Sequence, residues 1–220
     1  MKIVIASSKN WFNLDKNIIS NCEVIFIKQK HELTLEFLTE VSPKFVFFPH
    51  WNWLVDETII ENFDCILFHT APLPFGRGGS PIQNLILEEV KETPVCALKM
   101  TKKLDSGPIY CKESISLSGR LKDIFERLDL SINRLIEKIV REKPIPVPQK
   151  GQIKVFSRLS ELDNEIPKYL PINKLYDRLR MLDADFYPSA YINYGNARLE
   201  FSNITLEGDK IYCMTQIELK

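Results

Sequence analysis

Residues 64–90, DCILFHTAPLPFGRGGSPIQNLILEEV, decide the fold because they join a strand, a loop and a helix in one stretch. Residues 64–69 have the length and the apolar content of a buried strand. Residues 80–90 have helical spacing, with Ser80 as the N-cap and Pro81 at the first helical position, where the missing N–H costs nothing. A buried strand that leads through a glycine-rich loop into a helix predicts an α/β fold.

Similar runs recur on both sides of this stretch. Strand-like apolar runs lie at residues 2–6, 22–28, 44–49 and 93–100. Helical patterns lie at residues 31–41, 119–142 and 175–182, the second of them long and amphipathic. Because strands and helices alternate, we predict a Rossmann-like, mostly parallel sheet that is covered on both faces.

The texture of the chain changes after the three prolines at residues 143–148, which end the long helix. Tyr, Ile and Leu then alternate with polar residues at 189–200 and 204–219, a pattern typical of a β-hairpin or meander. We therefore predict a first domain at residues 1–148 and a small, β-rich C-terminal subdomain at residues 149–220.

Composition and charge narrow the class of protein. The 220 residues include 29 Lys+Arg and 29 Asp+Glu, so the formal net charge is zero and no net field attracts nucleic acid or acidic lipid. With 45% apolar residues the chain can bury a full core, and no window approaches a membrane span. We expect a cytoplasmic protein with neither nucleic acid nor membrane as a partner.

The five cysteines are widely spaced and show no C-x-x-C or Cys/His cluster. Because each lies in an apolar stretch, we expect reduced core residues, which pack like small hydrophobes. No metal site is expected.

The glycines point to one loop. The loop after the first strand, ASSKNW at residues 6–11, lacks a G-x-G-x-x-G fingerprint, which disfavours ordinary dinucleotide binding. Three glycines instead surround Arg77 at residues 76–79, beyond the carboxyl end of a strand, where open α/β sheets bind ligands. Glycine lets a ligand approach the backbone closely, although an ordinary flexible loop is the alternative interpretation.

Two titratable side chains follow neighbouring predicted strands. His69 ends the strand at residues 64–69, and Asp105 follows the strand at residues 93–100. Taken alone, His69 is equally well a hydrogen-bonded residue without function, and Asp105 is a turn residue before Gly107. Together they predict an imidazole that a carboxylate orients, which proton-transfer catalysis needs.

Two motifs in this order resemble a known family. H-x-x-x-L-P-x-x-R-G-x-x-P runs from His69 to Pro81, and L-D-x-G-x-I runs from Leu104 to Ile109. Together they resemble the N10-formyltetrahydrofolate-dependent formyltransferases, which act on methionyl-tRNA, glycinamide ribonucleotide or amino sugars. FPHWNW at residues 48–53, followed by FH at residues 68–69 and LPFGRGGSP at residues 73–81, is similar to the branch with the stand-alone pseudaminic-acid-type amino-sugar enzyme and the formylation domain of linear gramicidin synthetase.

The resemblance implies catalytic roles. The family has an Asn-His-Asp triad whose Asn lies two residues before the His, a position that holds Leu67 here. It implies that His69 relays the proton of the attacking amine and that Asp105 holds the resulting imidazolium. Asn52 is the candidate to replace the missing amide at the oxyanion, the alternative being that it only caps its loop.

The resemblance also implies binding residues. The folate co-substrate, N10-formyltetrahydrofolate, is expected to contact Phe48, Pro49, Leu98, Met100 and Asp105, largely through main-chain groups. The substrate pyrophosphate is expected at Lys9, Arg77, Gly78 and Gly79. Lys9 and Arg77 also have a plain interpretation as solvated surface residues.

The amine substrate is predicted to be a UDP- or dTDP-amino sugar, such as a UDP-4-amino-4,6-dideoxy-N-acetyl-hexosamine of the pseudaminic acid type. A neutral chain lacks the basic surplus that tRNA binding uses, and we expect no large tRNA-recruiting domain. The alternatives are an aminoacyl group on a carrier or tRNA, and a non-catalytic folate-binding module. The C-terminal hairpin either forms a homodimer interface or packs on its own sheet.

Overall fold

The computed structural model describes residues 1–17 and 19–220, in which the regular elements are eleven strands and five α-helices. The strands are β1 (Lys2–Ser7), β2 (Glu23–Ile27), β3 (Phe45–His50), β4 (Cys65–Thr70), β5 (Phe75–Gly78), β6 (Glu92–Lys99), β7 (Ile109–Ser116), β8 (Lys154–Phe156), β9 (Ala190–Tyr194), β10 (Ala197–Glu207) and β11 (Lys210–Leu219). The helices are α1 (Leu35–Val41), α2 (Glu57–Asn62), α3 (Pro81–Leu87), α4 (Leu121–Glu142) and α5 (Ile172–Arg180).

The central sheet has six strands in the order β2-β1-β3-β4-β6-β7. β1 pairs in parallel with β2 and β3, and β3 pairs in parallel with β4. These pairings confirm the predicted Rossmann-like, mostly parallel sheet. The carboxyl ends of β1, β3 and β4 therefore lie along one edge.

β6 departs from the prediction because it runs antiparallel to β4. Between β4 and β6 the chain forms β5 and the seven-residue helix α3. Alternation of strands and helices does not by itself fix the direction of a strand, and mixed sheets with an antiparallel strand are common.

Apolar residues fill both faces of the sheet. Residues 45–49 of β3 are buried without interruption, as expected for a strand with layers above and below it. A core cluster joins the strands to α1 and α2, and its buried members are Val4, Ala6, Ile27, Leu38, Val46, Phe48, Ile59 and Cys65.

The cysteines are free, and two of them match the expectation of buried thiols. Burial raises the pKa of the Cys65 thiol to about 12 and that of Cys96 to about 11, so both stay protonated at neutral pH. The expectation is wrong for Cys213, which is exposed because β11 is the edge strand of its sheet.

Contacts group the chain into two compact units that alternate along the sequence. The first contains Met1–Arg77, Pro94–Ile115 and Leu128–Lys154, and the second contains Gly78–Thr93, Ser116–Arg127 and Val155–Lys220. The domain boundary predicted between residues 148 and 149 stays a prediction.

The second unit contains the predicted C-terminal β structure, an antiparallel sheet in the order β11-β10-β9. α5 in this unit contains a buried ion pair within one helical turn, with Arg180 Nε 2.7 Å from Asp177 Oδ1. Arg180 also donates from Nη1 to the carbonyls of Leu117 and Gly119, at 2.6 and 2.8 Å.

In the part of the chain that the structure describes, no helix is long and apolar enough to cross a membrane.

Candidate active site

His69 lies near the carboxyl end of β4 with its side chain buried. Its Nε2 is 2.6 Å from the carbonyl oxygen of Gly76, and its Nδ1 is 3.7 Å from Oδ2 of Asp105. Because a carbonyl oxygen only accepts hydrogen bonds, Nε2 is the donor to Gly76. Both ring nitrogens therefore face oxygen acceptors, an arrangement in which an imidazolium can donate from each side.

Asp105 is buried in the loop between β6 and β7, and it has a left-handed backbone with φ 47°. Asp tolerates this region better than most residues. Two positions on, a Cβ at Gly107 would lie 1.7 Å from the carbonyl oxygen of Lys99, so only glycine fits there. The L-D-x-G motif thus supplies the two residues that this tight turn requires, and the turn directs the Asp105 carboxylate towards His69.

The glycine loop supplies the other partner of His69. Gly76 and Gly78 have φ of 83° and 102°, which L side chains rarely adopt. A Cβ at Gly78 would lie 2.4 Å from the Phe156 carbonyl oxygen, and one at Gly79 would lie 2.5 Å from Cβ of Arg158. Glycines 78 and 79 therefore let another part of the same chain approach, and their contact with a substrate stays a prediction.

The guanidinium of Arg77 is buried against a residue that sequence reasoning missed. Its Nε and Nη2 donate to Oε1 of Gln149, at 3.1 and 2.7 Å. Nε2 of Gln149 donates to the carbonyl oxygens of Asp105 and Gly107, at 2.8 and 2.9 Å. The only sequence signal for Gln149 is its place directly after the proline-rich segment. A substrate contact for Arg77 stays a prediction, as it does for the exposed Lys9.

Asn52 lies in the loop that follows β3, and it is exposed. Its Oδ1 is 3.2 Å from Nε2 of His50, so the contact that the structure shows is with His50 rather than His69. Leu67, at the position of the family Asn, packs against the cluster of Leu73, Cys96 and Leu98 and has no group to donate. The oxyanion role of Asn52 stays a prediction.

The residues predicted to contact folate lie on β3 and β6 or just beyond them. Phe48, Pro49 and Leu98 are buried, and Met100 is partly buried. The side chains of Phe48 and Leu98 pack within core clusters, so main-chain groups are what these two positions can offer a ligand. The contacts with folate stay predictions. Among the described residues, no group of three or more His, Cys, Asp or Glu is placed to hold a metal ion.

The structure is an α/β protein with a mostly parallel sheet and a buried His–Asp pair. Because β6 is antiparallel to β4, the carboxyl end of β6 lies beside the amino end of β4, and the loop that follows β6 brings Asp105 to His69 from there. Comparisons with known proteins show that the class is that of the formyltransferases. A solved structure titled methionyl-tRNA formyltransferase from Clostridium thermocellum is 37% identical, covers 100% of both chains and superposes with a TM-score of 0.92. The family model described as methionyl-tRNA formyltransferase, C-terminal domain, matches residues 161–218. The chain therefore belongs to the formyltransferase family that includes proteins named methionyl-tRNA formyltransferase.

Two further comparisons bear on the branch of the family. Methionyl-tRNA formyltransferase of Thermotoga maritima is 32% identical over 170 residues, which are 74% of this chain and 51% of that protein. The formyltransferase PseJ from Anoxybacillus kamchatkensis, solved with UDP-4,6-dideoxy-4-formamido-L-AltNAc and tetrahydrofolate, is 20% identical. The matched region covers 71% of this chain and 86% of PseJ, with a TM-score of 0.58. At 20% identity this likeness shows the fold alone.

These comparisons confirm the family and do not support its narrowing to the pseudaminic acid branch. That narrowing rested on the short segments at residues 48–53, 68–69 and 73–81, whereas these comparisons use similarity along most of the chain. The chain spans 44% to 66% of the length of the first curated relatives that it matches.

Proposed function

We propose that this chain transfers a formyl group from N10-formyltetrahydrofolate to a primary amine. The observation that carries the proposal is the buried His69–Asp105 pair, with Nδ1 and Oδ2 3.7 Å apart, in a formyltransferase fold. Bound folate supplies the formyl group and the leaving nitrogen. The protein orients the amine, moves its proton and stabilises charge on the formyl oxygen.

His69 is the proton carrier in this proposal. As the amine nitrogen bonds to the formyl carbon it gives up a proton. Nδ1 of the imidazole takes that proton, because Nε2 already donates to the Gly76 carbonyl, and then returns it to the leaving folate nitrogen. The carboxylate of Asp105 and the carbonyl of Gly76 face the two ring nitrogens, so they stabilise the imidazolium while it holds that proton. One C–N bond forms and one breaks, with no change of oxidation state.

The relatives favour an aminoacyl group on tRNA as the amine substrate, since a solved methionyl-tRNA formyltransferase is 37% identical over the full chain. In the sequence analysis this substrate is the alternative, and the amino sugar is the first prediction. The amino sugar stays as a second candidate because 29 basic and 29 acidic residues leave no net positive charge for nucleic acid.

One assay separates the candidates. The protein is incubated with N10-formyltetrahydrofolate and, in parallel, with methionyl-tRNA and a panel of UDP- and dTDP-amino sugars, and mass spectrometry detects formylated products. Formyl-methionyl-tRNA alone supports the first candidate, and a formamido sugar alone supports the second. Folate binding without any product would replace both with a non-catalytic folate-binding module.

The oxyanion role of Asn52 has its own test. If its amide donates to the formyl oxygen, Asn52→Ala lowers kcat by about 10²- to 10³-fold, the loss typical of a removed oxyanion donor. His50→Gln is the matched control, since it removes the ring that faces Asn52. A change in KM with kcat unaltered moves the oxyanion role to another group.

A further inference from the structure

Residues 144–154, PIPVPQKGQIK, form an extended segment that we name the proline strap. Its prolines cannot continue α4 and favour an extended backbone. Val147 exchanges two main-chain hydrogen bonds with Ile109, at 2.8 and 2.9 Å, as an antiparallel bridge. In an antiparallel register, two residues forward on one strand face two residues back on the other, which places Gln149 opposite Gly107.

The amide of Gln149 is fully used where the strap passes the Asp105 loop. Its oxygen accepts from Nε and Nη2 of Arg77, and its nitrogen donates to the carbonyls of Asp105 and Gly107. The orientation of the amide is unambiguous, because a guanidinium only donates and a carbonyl only accepts. Four hydrogen bonds from one side chain thus join three separate segments of the first unit.

The joined segments are the two that supply the partners of His69. Arg77 directly follows Gly76, whose carbonyl lies 2.6 Å from Nε2 of His69. Asp105 faces Nδ1 of the same ring. Gln149 therefore links the side chain of Arg77, the residue after Gly76, to the main chain of the Asp105 loop.

The Asp105 loop has a backbone conformation that its surroundings must support. The φ of 47° at Asp105 is left-handed, which Asp tolerates better than most residues but which still costs free energy. The strap has a further contact in the same unit, since the main-chain N–H of Lys154 donates to the carbonyl oxygen of Pro74 at 3.4 Å. The hydrogen bonds of Gln149 thus act on a loop whose conformation depends on such support.

We propose that Gln149 is a positioning residue of the active site, acting through Asp105 and Gly76 to hold the acceptors of His69 in place. The inference rests on the proposed formyl transfer for its kinetic consequence. Its structural part, the link between strap and loop, stands without that function.

The test uses three variants of the full chain. Gln149→Ala removes all four hydrogen bonds, and Gln149→Glu keeps an acceptor for Arg77 but places oxygen against the Asp105 and Gly107 carbonyls. Gln152→Ala, at an exposed glutamine of the same strap, is the matched control. Hydrogen–deuterium exchange of residues 101–109 is measured alongside kcat and KM.

We expect both Gln149 variants to speed amide exchange in residues 101–109. Both should lower kcat about tenfold and change KM by less than about threefold, because a misplaced catalytic group mainly affects turnover. In an Asp105→Asn background, Gln149→Ala should have almost no further effect on kcat, because the two positions act as one unit. Gln152→Ala should match the wild type in every measurement.

Three results would overturn the inference: unchanged exchange in both variants, full activity of Gln149→Glu, or losses that multiply in the double variant. The last would indicate general destabilisation. If the wild type transfers no formyl group at all, the proposed function fails, and the exchange measurement still decides whether Gln149 holds the loop.

Discussion

Two buried pairs of a basic and an acidic side chain, one in each unit, are built differently. In the second unit, Arg180 and Asp177 are 2.7 Å apart, and the guanidinium also bonds two main-chain carbonyls. In the first unit, His69 and Asp105 face each other across 3.7 Å, beyond the range of a direct hydrogen bond.

The difference suits a structural role for the Arg180–Asp177 pair, which we call the anchor, and a catalytic role for the His69–Asp105 pair. Arg180 carries a permanent charge, and its short hydrogen bonds hold a fixed geometry. His69 can gain or lose its proton, and contacts between catalytic groups are often long before substrate binds and tighten as charge develops. We therefore expect removal of the first pair to change stability, and removal of the second to change turnover.

The largest expected effect is the loss of the anchor. Arg180→Met leaves the Asp177 carboxylate buried without its counter-ion and should lower the free energy of unfolding by about 3 to 5 kcal/mol. Urea denaturation measures this loss, and turnover per folded molecule should stay within about twofold. Asp177→Asn keeps an acceptor and should cost less. A loss below about 1 kcal/mol for Arg180→Met would show that this pair is no anchor.

The next effect concerns the proposed catalytic pair. His69→Asn and Asp105→Asn should each lower turnover at least about a hundredfold, equal to about 2.7 kcal/mol in the barrier, because proton transfer loses its carrier or its orienting charge. Asn suits position 105 because it tolerates the φ of 47° there. Unfolding curves should stay close to the wild type. Near-normal rates in both variants would refute the catalytic assignment.

A smaller effect is expected from the turn beside Asp105. Gly107→Ala places a Cβ 1.7 Å from the Lys99 carbonyl oxygen, so the backbone must move by about 1 Å and turnover should fall roughly tenfold or more. The control is Gly195→Ala, where a Cβ meets nothing within 4 Å and only the φ of 58° is unfavourable. Equal turnover in the two variants would mean that the position of the Asp105 loop does not limit the rate.

The smallest effect is expected at an exposed ion pair in the same loop. Lys102 Nζ lies 2.8 Å from Glu57 and 2.9 Å from Glu61, and these hydrogen bonds raise the pKa of the ammonium above its usual value. Solvent screens exposed pairs, so Lys102→Ala should leave turnover within about twofold. Steady-state kinetics at low and high salt checks this. A tenfold loss would show that the whole loop is sensitive, not only its buried face.

Much of the sheet was predictable because buried strands carry continuous apolar runs, as residues 45–49 show. β7 was missed since polar residues such as Lys112 and Glu113 interrupt its apolar pattern. The direction of β6 was missed because strand composition carries no sign of polarity. Side-chain pattern reports burial, whereas pairing direction depends on the path between strands.

In the candidate site, too, some residues have a sequence signal and others do not. His69 and Asp105 were found because each belongs to a spaced motif near the end of a strand, and the structure brings them together. The expectation that they lie at neighbouring carboxyl strand ends is wrong, because β6 is antiparallel to β4 and its last residue, Lys99, pairs with Ile66 near the start of β4. Gln149 has no such signal, since a single amide contributes nothing to periodicity or charge. Its position follows only from the bridge between Val147 and Ile109, a contact between distant parts of the chain.

The link through Gln149 also has a consequence for the order of folding. Arg77 and Gln149 are 72 positions apart, so the link cannot form until synthesis has passed the proline strap. Strands β1 to β4 can pair earlier, as the chain leaves the ribosome from its N-terminus. We therefore expect strands β1 to β4 to pair before the strap is synthesised, and the link between Arg77 and the Asp105 loop to form only afterwards.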